Sequence, residues 1–176
     1  MTLEQKINSA LVDVHDFPKP GIVYKDITPI FQNPQLSNEI LDQLVATYQS
    51  SGIEAIVGLE SRGFLFAMPL SLRLGVPFVM IRKKGKLPRA CHSINYDLEY
   101  GQSCIEMHKD SLKPGQRVLI HDDVLATGGT AAAAAELVLM SQAQLVGFSF
   151  LVELSFLKGE ANLNKYSDRI VTFARI

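Results

Sequence analysis

The chain has 176 residues, of which 47% are hydrophobic. This is enough for one well-packed α/β domain over residues 1–176 and too few for two comfortable ones. Lysine and arginine number 17 against 18 aspartates and glutamates, a formal net charge of −1. The balance excludes a general positive field that would recruit nucleic acid or an anionic membrane, so any basic site must be local.

The first residues of the chain and its two cysteines indicate the cellular compartment in which we expect the protein. The first residues show no basic segment followed by an apolar core, and no apolar run approaches membrane-spanning length. We therefore expect neither export nor a membrane partner. The two cysteines, Cys91 and Cys104, lack the spacing of a zinc site. Free thiols suit a reducing compartment, so we expect a cytoplasmic protein.

The amino-terminal segment predicts a helix followed by a loop. Apolar residues recur at helical spacing from Leu3 to Val14, which predicts an amphipathic helix that covers the rest of the fold. Residues 15–29 contain three prolines and a glycine, which predicts an ordered loop. Within it, Tyr24 and Lys25 could stack on and hydrogen-bond to a flat heteroaromatic ligand. From these residues alone, the alternative that Tyr24 only pins the loop to the core is favoured.

A structural helix is predicted next. Asn33 can cap a helix with its side chain, and Pro34 suits the first helical position. Apolar residues continue at helical spacing as far as Tyr48, and the small residues 50–52 end the pattern.

A strand, polar turn and helix follow. Residues 55–59 predict a buried strand and residues 64–74 a helix. In the turn between them, Arg62 could grip an oxyanion with its bidentate guanidinium group while the amide groups of the turn share the charge. For this stretch alone, a surface ion pair between Arg62 and Glu60 is the favoured alternative.

The densest positive segment is Arg-Lys-Lys-Gly-Lys-Leu-Pro-Arg at residues 82–89, directly after a predicted strand over 78–81. A basic run is more often a solvated surface, but its position at the carboxyl end of a strand favours a phosphate site. Polar and apolar residues then alternate through 93–101 and 103–107, which predicts an antiparallel hairpin.

The most informative stretch is a second strand, turn and helix unit. Residues 118–120 predict a buried strand, Asp122 and Asp123 follow, and the Thr-Gly-Gly-Thr of 127–130 predicts a turn before a helix that starts at the alanine run. The free N–H groups of the first helical turn and the helix dipole favour an anion, and glycines let the backbone wrap a phosphate. Carboxylates accept hydrogen bonds from vicinal hydroxyls. The unit therefore predicts a ribose 5-phosphate site.

Two common phosphate motifs are excluded at this turn. No lysine follows the glycines, and the glycines are adjacent rather than spaced as G-x-G-x-x-G. An ordinary strand-to-helix turn with acids on its rim is the alternative. It is less favoured, because paired acids, two threonines and the strand-to-helix context coincide.

The last strands complete an α/β fold. Residues 145–152 predict another buried strand, and residues 169–173 predict an edge strand. Together with the earlier elements, they predict a central, mostly parallel sheet flanked by helices.

The sequence V-L-I-H-D-D-V-L-A-T-G-G-T at 118–130 resembles the phosphoribosyl diphosphate (PRPP) loop of type I phosphoribosyltransferases. The resemblance implies that family's fold, which adds a flexible β-hairpin flap and an N-terminal hood to the sheet. It also implies that Asp122 and Asp123 hold the ribose hydroxyls. The residues implied to hold the 5-phosphate of PRPP or AMP are Ala126, Thr127, Gly128, Gly129 and Thr130. His121 departs from the pattern, since that position is usually aliphatic.

Three further segments resemble the adenine phosphoribosyltransferase family: F-P-K-P-G-I-V-Y-K-D-I-T-P at 17–29, Y-D-L-E-Y-G at 96–101 and V-E-L-S-F-L-K-G at 152–159. They imply that the backbone of Val23 recognises the adenine edge, that the Tyr24 ring stacks on the base and that the Leu157 side chain faces it. The adenine-binding residues are thus expected to be Val23, Tyr24, Lys25 and Leu157.

The same resemblance covers the diphosphate site and the chemistry. It implies that G-L-E-S-R-G-F at 58–64 is the diphosphate loop and that R-K-K-G-K-L-P at 82–88 is the root of the flap. The diphosphate-binding residues are expected to be Glu60, Ser61, Arg62, Arg82, Lys83 and Lys86. The catalytic residues are expected to be Glu99, Tyr100 and Arg62, with Glu99 as candidate proton donor or acceptor for a purine ring nitrogen.

The resemblance extends from Phe17 to Gly159 and implies a purine salvage enzyme. The reaction is transfer of the 5-phosphoribosyl group of PRPP to adenine, giving AMP and diphosphate. Mg²⁺ is expected as cofactor, held by substrate oxygens and water without direct protein ligands. A homodimer is also implied, in which Arg82 can reach a neighbour's site. The other departures from the family pattern are Arg89, Cys91, His92 and Glu160.

Two alternatives remain open from the sequence. One is a phosphoribosyltransferase for another purine base, hypoxanthine or guanine. The other is a PRPP-sensing regulator without turnover, which would call for an added nucleic-acid-binding module.

Overall fold

A computed structural model describes residues 1–98 and 101–176 of the chain. Within these residues the helices are α1 (Leu3–Ala10), α2 (Thr28–Phe31), α3 (Pro34–Tyr48), α4 (Phe64–Leu74), α5 (Gly129–Met140) and α6 (Glu160–Leu163). The strands are β1 (Val12–His15), β2 (Val23–Asp26), β3 (Ala55–Leu59), β4 (Phe78–Lys83), β5 (Cys91–Leu98), β6 (Gly101–His108), β7 (Arg117–Leu125), β8 (Gln144–Glu153) and β9 (Ile170–Arg175).

Seven strands of the described chain form one sheet in the order β5-β6-β4-β3-β7-β8-β9. The five strands from β4 to β9 in this order run parallel, whereas β6 pairs antiparallel with both β4 and β5. This confirms the mostly parallel sheet, the hairpin and the edge position of the last strand. A separate two-stranded antiparallel sheet joins β1 to β2.

Strand β3 and residues 118–120 of β7 are apolar, as suits strands whose two faces are both covered by helices. All five residues of β3 are buried. Along β7 the side chains alternate: Val118 and Ile120 pack in the core cluster that includes α5, and Leu119 packs in the cluster that includes α1, α3 and α4. The loops that leave the carboxyl ends of β3 and β7 therefore start from a rigid, fully covered platform.

Several predicted helices are confirmed. Helix α4 has the predicted bounds and ends at Gly75, which adopts a left-handed conformation with φ of +69°. Helix α3 begins after Asn33, whose side chain accepts a hydrogen bond from the Leu36 N–H group at 3.1 Å. No helix of the described residues combines the length and apolarity needed to cross a membrane.

The amino-terminal prediction was wrong in two places. Helix α1 ends at Ala10, and Val14, which fits the helical pattern, lies in β1 opposite Tyr24 of β2. Part of the predicted loop 15–29 is therefore strand β2. The loop also runs into the short helix α2, which has Pro29 in its first turn. The structure of this region is determined by pairing between two short strands, β1 and β2. The spacing of apolar residues within one segment does not predict such pairing.

Two boundaries near the predicted phosphate loop also differ from the prediction. Strand β7 continues through Asp122 and Asp123 to Leu125, because the parallel neighbour β8 keeps pairing with it as far as Glu153. Helix α5 begins at Gly129 rather than after the turn. The turn is therefore shorter than its sequence pattern indicates.

His121 lies in β7 immediately before the acidic pair and is fully buried. Its Nδ1 atom is 3.1 Å from the Ser149 hydroxyl on β8, and its Nε2 atom has no hydrogen-bond partner among the described residues. Burial lowers the pKa of the His121 imidazole to about 3. The ring is therefore neutral near pH 7 and packs much as an aliphatic side chain would.

We expect His121→Val to make the fold less sensitive to acid. The pKa of His121 is 6.5 without burial and about 3 in the fold, so its contribution to stability is complete above pH 6.5 and is lost as the pH falls towards 3. The loss is about 1.4 kcal/mol per pH unit, or about 2 kcal/mol at pH 5. Urea unfolding at pH 7.5 and pH 5.0 measures it.

The matched control is His15→Gln, because His15 is exposed. The His121→Val protein should lose less free energy of unfolding between the two pH values than the wild type, and the His15→Gln protein should lose as much as the wild type. The same loss in all three proteins would contradict the neutral, buried state of His121.

Candidate active site

The candidate site lies at the carboxyl ends of β3 and β7, which are parallel neighbours in the sheet. In α/β folds the loops at this edge bind ligands. The turn after β3 carries Glu60, Ser61 and Arg62, and the end of β7 carries the acidic pair followed by the turn into α5. The peptide bond between Glu60 and Ser61 is cis. The structure thus brings the predicted diphosphate loop and the predicted PRPP loop side by side.

An ion pair between Arg62 and Asp123 joins these two loops. The Arg62 Nε atom is 2.5 Å from the Asp123 Oδ2 atom, and Asp123 is only 6% exposed. Arg62 also donates a hydrogen bond to the Tyr24 hydroxyl, with its guanidinium carbon 5.9 Å from the centre of the Tyr24 ring. One guanidinium therefore links side chains predicted to serve the diphosphate, the ribose and the base.

The charge of Arg62 follows from these contacts. Burial by itself lowers the pKa of the guanidinium, but the Asp123 carboxylate and the Tyr24 hydroxyl outweigh it and raise the pKa above its usual value. The ion pair with Glu60 that the isolated turn favoured does not form; Arg62 pairs with Asp123 instead. Arg62 therefore remains positively charged. Its two polar partners, Asp123 and Tyr24, both belong to the predicted ligand-binding surface.

Asp122 is in a different electrostatic situation. Its Oδ1 atom accepts a hydrogen bond from the Asp123 N–H group at 2.9 Å. Burial, and then the neighbouring Asp123 carboxylate, raise the pKa of Asp122 well above its ordinary value. A Cβ atom on Gly63 would lie 2.6 Å from the same oxygen, so only glycine lets the turn after β3 approach this closely.

The turn into α5 has the properties of an anion site. Its N-cap residue, Gly128, has φ of +80°, and a Cβ atom there would lie 2.6 Å from the Gly159 carbonyl oxygen. No side chain of the described residues caps this helix start, so the N–H groups of its first turn remain for a ligand. The Asn162 side chain donates to the Thr127 carbonyl oxygen at 2.7 Å and holds the turn from outside.

Glu60 organises the start of the basic segment. Its Oε2 atom accepts hydrogen bonds from the Lys83 N–H group at 2.8 Å and from the Arg82 Nε atom at 3.3 Å. Burial opposes its charge, but the Lys83 amide and Arg82 together hold the pKa of Glu60 below its usual value. Lys83 and Lys86 are exposed, and Arg82 also donates to the Lys86 carbonyl oxygen at 3.4 Å. Glu60 thus orients a cation next to the site.

The predicted base-binding residues are only partly brought together. Tyr24 lies beside Arg62 and packs edge-on against Phe17, with ring centres 5.2 Å apart. Val23 next to it is exposed. Lys25 turns to the other strand of its sheet, where its Nζ atom is 2.6 Å from Asp13. Leu157 is half-buried in a short 3₁₀ turn after β8.

The predicted catalytic residues Glu99 and Tyr100 lie outside the described residues. The hairpin strands that flank them, β5 and β6, are paired in register from Cys91–His108 to Leu98–Gly101. Near the end of β5, the Tyr96 hydroxyl accepts a hydrogen bond from the Thr130 hydroxyl at 3.2 Å. The hairpin therefore contacts the start of α5, next to the predicted phosphate-binding turn.

The residues that support the two strand-end loops and the neighbouring basic turn were not predicted from the sequence. The described residues of this kind are Gly63, Tyr96, Glu106, Gly159 and Asn162. The glycine directly after Arg62 in the sequence could have indicated that the backbone at Gly63 closely approaches another part of the chain. Asn162 is 35 positions from its partner Thr127 and carries no local signal of that contact.

Comparison with known proteins identifies the family of the chain. A model of the phosphoribosyl transferase domain family matches residues 25–175. The chain is 54% identical over 158 residues to the adenine phosphoribosyltransferase of Ureaplasma parvum, covering 90% of this chain and 91% of that protein.

Two solved structures are also similar. The adenine phosphoribosyltransferase of Thermoanaerobacter pseudethanolicus has a TM-score of 0.93 at 42% identity, over 99% of this chain and 100% of that one. The Saccharomyces cerevisiae enzyme, complexed with an imino-altritol bisphosphate and adenine, has a TM-score of 0.89 at 43% identity, over 97% and 98%. With its strand-end loops built around Arg62 and Asp123, the chain belongs to the adenine phosphoribosyltransferases of the phosphoribosyl transferase domain family.

Proposed function

We propose that this protein transfers the 5-phosphoribosyl group of PRPP to adenine, giving AMP and diphosphate for purine salvage. The observation that carries the proposal is the double contact of Arg62 with Asp123 and Tyr24. Through it, the surfaces expected to hold diphosphate, ribose and base converge beside the anion-binding turn before α5. The S. cerevisiae relative in complex with adenine supports the same base.

In the proposed reaction the bond from ribose C1 to the diphosphate oxygen breaks, and that oxygen keeps the electron pair. A ring nitrogen of adenine forms the new bond to C1 and gives up its proton, for which Glu99 is the candidate acceptor. Positive charge develops at C1 in the transition state. Catalysis therefore depends on holding the sugar in place and on stabilising the charge of the leaving group.

The charged residues of the site have different proposed roles in catalysis. Asp122 and Asp123 orient the ribose hydroxyls, while Arg62 and the cations of segment 82–86 take up charge on the diphosphate. In the structure Arg62 and Asp123 neutralise each other. PRPP offers hydroxyl donors to the carboxylate and a diphosphate to the guanidinium, so neither group is left as an uncompensated buried charge when the substrate binds.

Mg²⁺ fits this site as a substrate-borne ion. Among the residues that the structure describes, no three histidine, cysteine, aspartate or glutamate side chains are grouped so as to hold a metal ion. Asp123 is paired with Arg62. We propose that oxygens of PRPP and water would hold Mg²⁺, as suits an ion that keeps part of its hydration. Bound there, it would neutralise charge on the diphosphate.

A homodimer is part of the proposal. Helix α4 carries Leu65, Met68 and Leu72 at helical spacing, and these side chains are 50%, 43% and 69% exposed. A continuous apolar stripe of this kind is unusual on a protein that acts alone. We infer that a second copy covers the stripe. Such a dimer agrees with the resemblance, in which Arg82 can reach the neighbouring site.

We also propose that the chain acts as one cytoplasmic domain. Helix α1 is fastened to α3 by an ion pair between Lys6 and Glu39, and to the last strand by a hydrogen bond from Asn8 to the Arg175 carbonyl oxygen. Both elements thus belong to one body. Cys91 and Cys104 are free thiols, which supports a reducing compartment.

Diphosphate release from PRPP tests the reaction. We expect release with adenine in the presence of Mg²⁺, and little release with hypoxanthine, with guanine or after chelation of the metal. A preference for hypoxanthine or guanine would replace the base assignment. Binding of PRPP without release for any base would instead favour a PRPP sensor.

Two substitutions should separate binding from chemistry. Asp123→Asn removes the negative charge opposite Arg62 and replaces one of the two acceptor oxygens for the diol with an NH₂ donor, so the KM for PRPP should rise about tenfold or more. Glu99→Gln removes the proposed proton acceptor, so kcat should fall about 100-fold with little change in the KM for PRPP. Steady-state kinetics measures both. Asp42→Asn, an exposed partner of Arg73, is the control. An equal loss of PRPP affinity in both variants would contradict the separate roles.

The dimer has its own test. Leu72→Lys should shift the solution mass, measured by light scattering during gel filtration, from twice 19.4 kDa towards 19.4 kDa. Leu139→Lys on α5 is the matched control, because Leu139 is also exposed and helical but lies outside the stripe. A wild-type protein that elutes as a monomer, or an unchanged mass for Leu72→Lys, would count against this interface.

A further inference from the structure

Glu106 on β6 is a buried carboxylate that joins two segments of the chain. It is 8% exposed. Its Oε2 atom accepts a hydrogen bond from the Gly85 N–H group at 2.9 Å, and its Oε1 atom accepts one from the Ser93 hydroxyl at 3.0 Å. Gly85 lies in the middle of the basic segment with φ of +80°, and Ser93 lies on the hairpin strand β5. One side chain thus fastens the basic turn to the hairpin.

The strand register explains how Glu106 reaches both partners. In the antiparallel pairing, Glu106 stands opposite Arg82 of β4 on one side and opposite Ser93 of β5 on the other. Residues directly opposite each other in such pairs have their side chains on the same face. The three residues therefore form a row across β4, β6 and β5. Arg82, at the end of this row, also contacts Glu60.

Burial of a carboxylate has an energetic cost that hydrogen bonds must offset. Hydrogen bonds to a charged acceptor are stronger than neutral ones, and the two bonds of Glu106 go to a turn amide and a flap hydroxyl. The turn itself carries Lys84 and Lys86 on either side of Gly85, which repel each other. A negative charge beneath the turn offsets that repulsion and fixes the turn in one conformation.

We infer that Glu106 is a positioning residue for diphosphate binding. It holds the Gly85 turn so that the cations of segment 82–86 face the leaving group, and it ties the position of this turn to the hairpin through Ser93. The inference rests on the proposed function and deepens its diphosphate site. Glu60 holds the start of the basic segment, and Glu106 holds its turn.

Calorimetric titration of the full chain with Mg²⁺–diphosphate and, separately, with AMP tests this role. Glu106→Ala should weaken diphosphate binding about tenfold and leave AMP binding within about twofold, because AMP is proposed to bind the turn at 126–130. Glu106→Gln keeps an acceptor for the Gly85 amide, and its amide group can donate to Ser93. Since it loses only the charge beneath the lysines, it should weaken diphosphate binding about threefold, less than Glu106→Ala does. Ser93→Ala removes only the link to the hairpin and should weaken diphosphate binding about threefold.

Distinct outcomes would overturn the inference. Equal losses of AMP and diphosphate affinity in Glu106→Ala would indicate general damage, and unchanged diphosphate affinity would show that the turn needs no support. A wild-type chain that binds no diphosphate would also overturn it. If Glu106→Ala fails to fold, Ser93→Ala decides, since a selective loss of diphosphate affinity is required there. Failure of the proposed function is seen separately, as absence of turnover by the wild type.

Discussion

The ion pair between Arg62 and Asp123 is the contact on which the site depends. Asp123 is a nearly buried carboxylate at the end of a central strand, and such a group needs a partner to stay charged. Arg62 supplies the partner from the neighbouring strand-end turn and, at the same time, holds the Tyr24 hydroxyl. The pair therefore sets the distance between the two loops and anchors the β1–β2 sheet above them.

The parallel sheet makes this contact possible. Because β3 and β7 are parallel neighbours, the loops that follow their carboxyl ends lie at the same edge of the sheet. Close approach then depends on residues without side chains: Gly63 leaves room for Asp122, and Gly128 leaves room for the Gly159 backbone. A methyl group at either glycine would collide with its neighbour, so the backbone geometry of the site depends on these two positions.

The two carboxyl groups of the acidic pair differ although they are adjacent. Asp123 has a cation against it, whereas burial and its charged neighbour raise the pKa of Asp122 well above the ordinary value. A ribose diol offers both donors and acceptors. If the pair holds the ribose as proposed, the ribose hydroxyls meet two carboxyl groups in different electrostatic surroundings.

The elements predicted correctly from the sequence are those whose formation depends mainly on residues close together in the chain. The strand at 55–59 and the helix at 64–74 were predicted correctly because an apolar run and a glycine at the helix end are strong markers. The turn predicted at 127–130 is shorter, because helix α5 already begins at Gly129. Val14 was misassigned because strand pairing with Tyr24 overrides its helical spacing.

The contacts between distant residues could not be predicted in the same way. Taken alone, the turn after β3 favoured an ion pair between Arg62 and its sequence neighbour Glu60. The observed partner, Asp123, is 61 positions away and is brought near by the order of the strands. Glu106 gave no signal at all, because its partners become visible only in the register of the hairpin. The roles of Glu99 and Tyr100 stay predictions.

A crystal structure of the protein with AMP would test the account most directly. We expect the 5-phosphate within hydrogen-bonding distance of the amide groups of residues 127–130, the ribose hydroxyls on Asp122 and Asp123, and the adenine ring against Tyr24. A nucleotide bound elsewhere, with this turn free of phosphate, would contradict the assignment of the site.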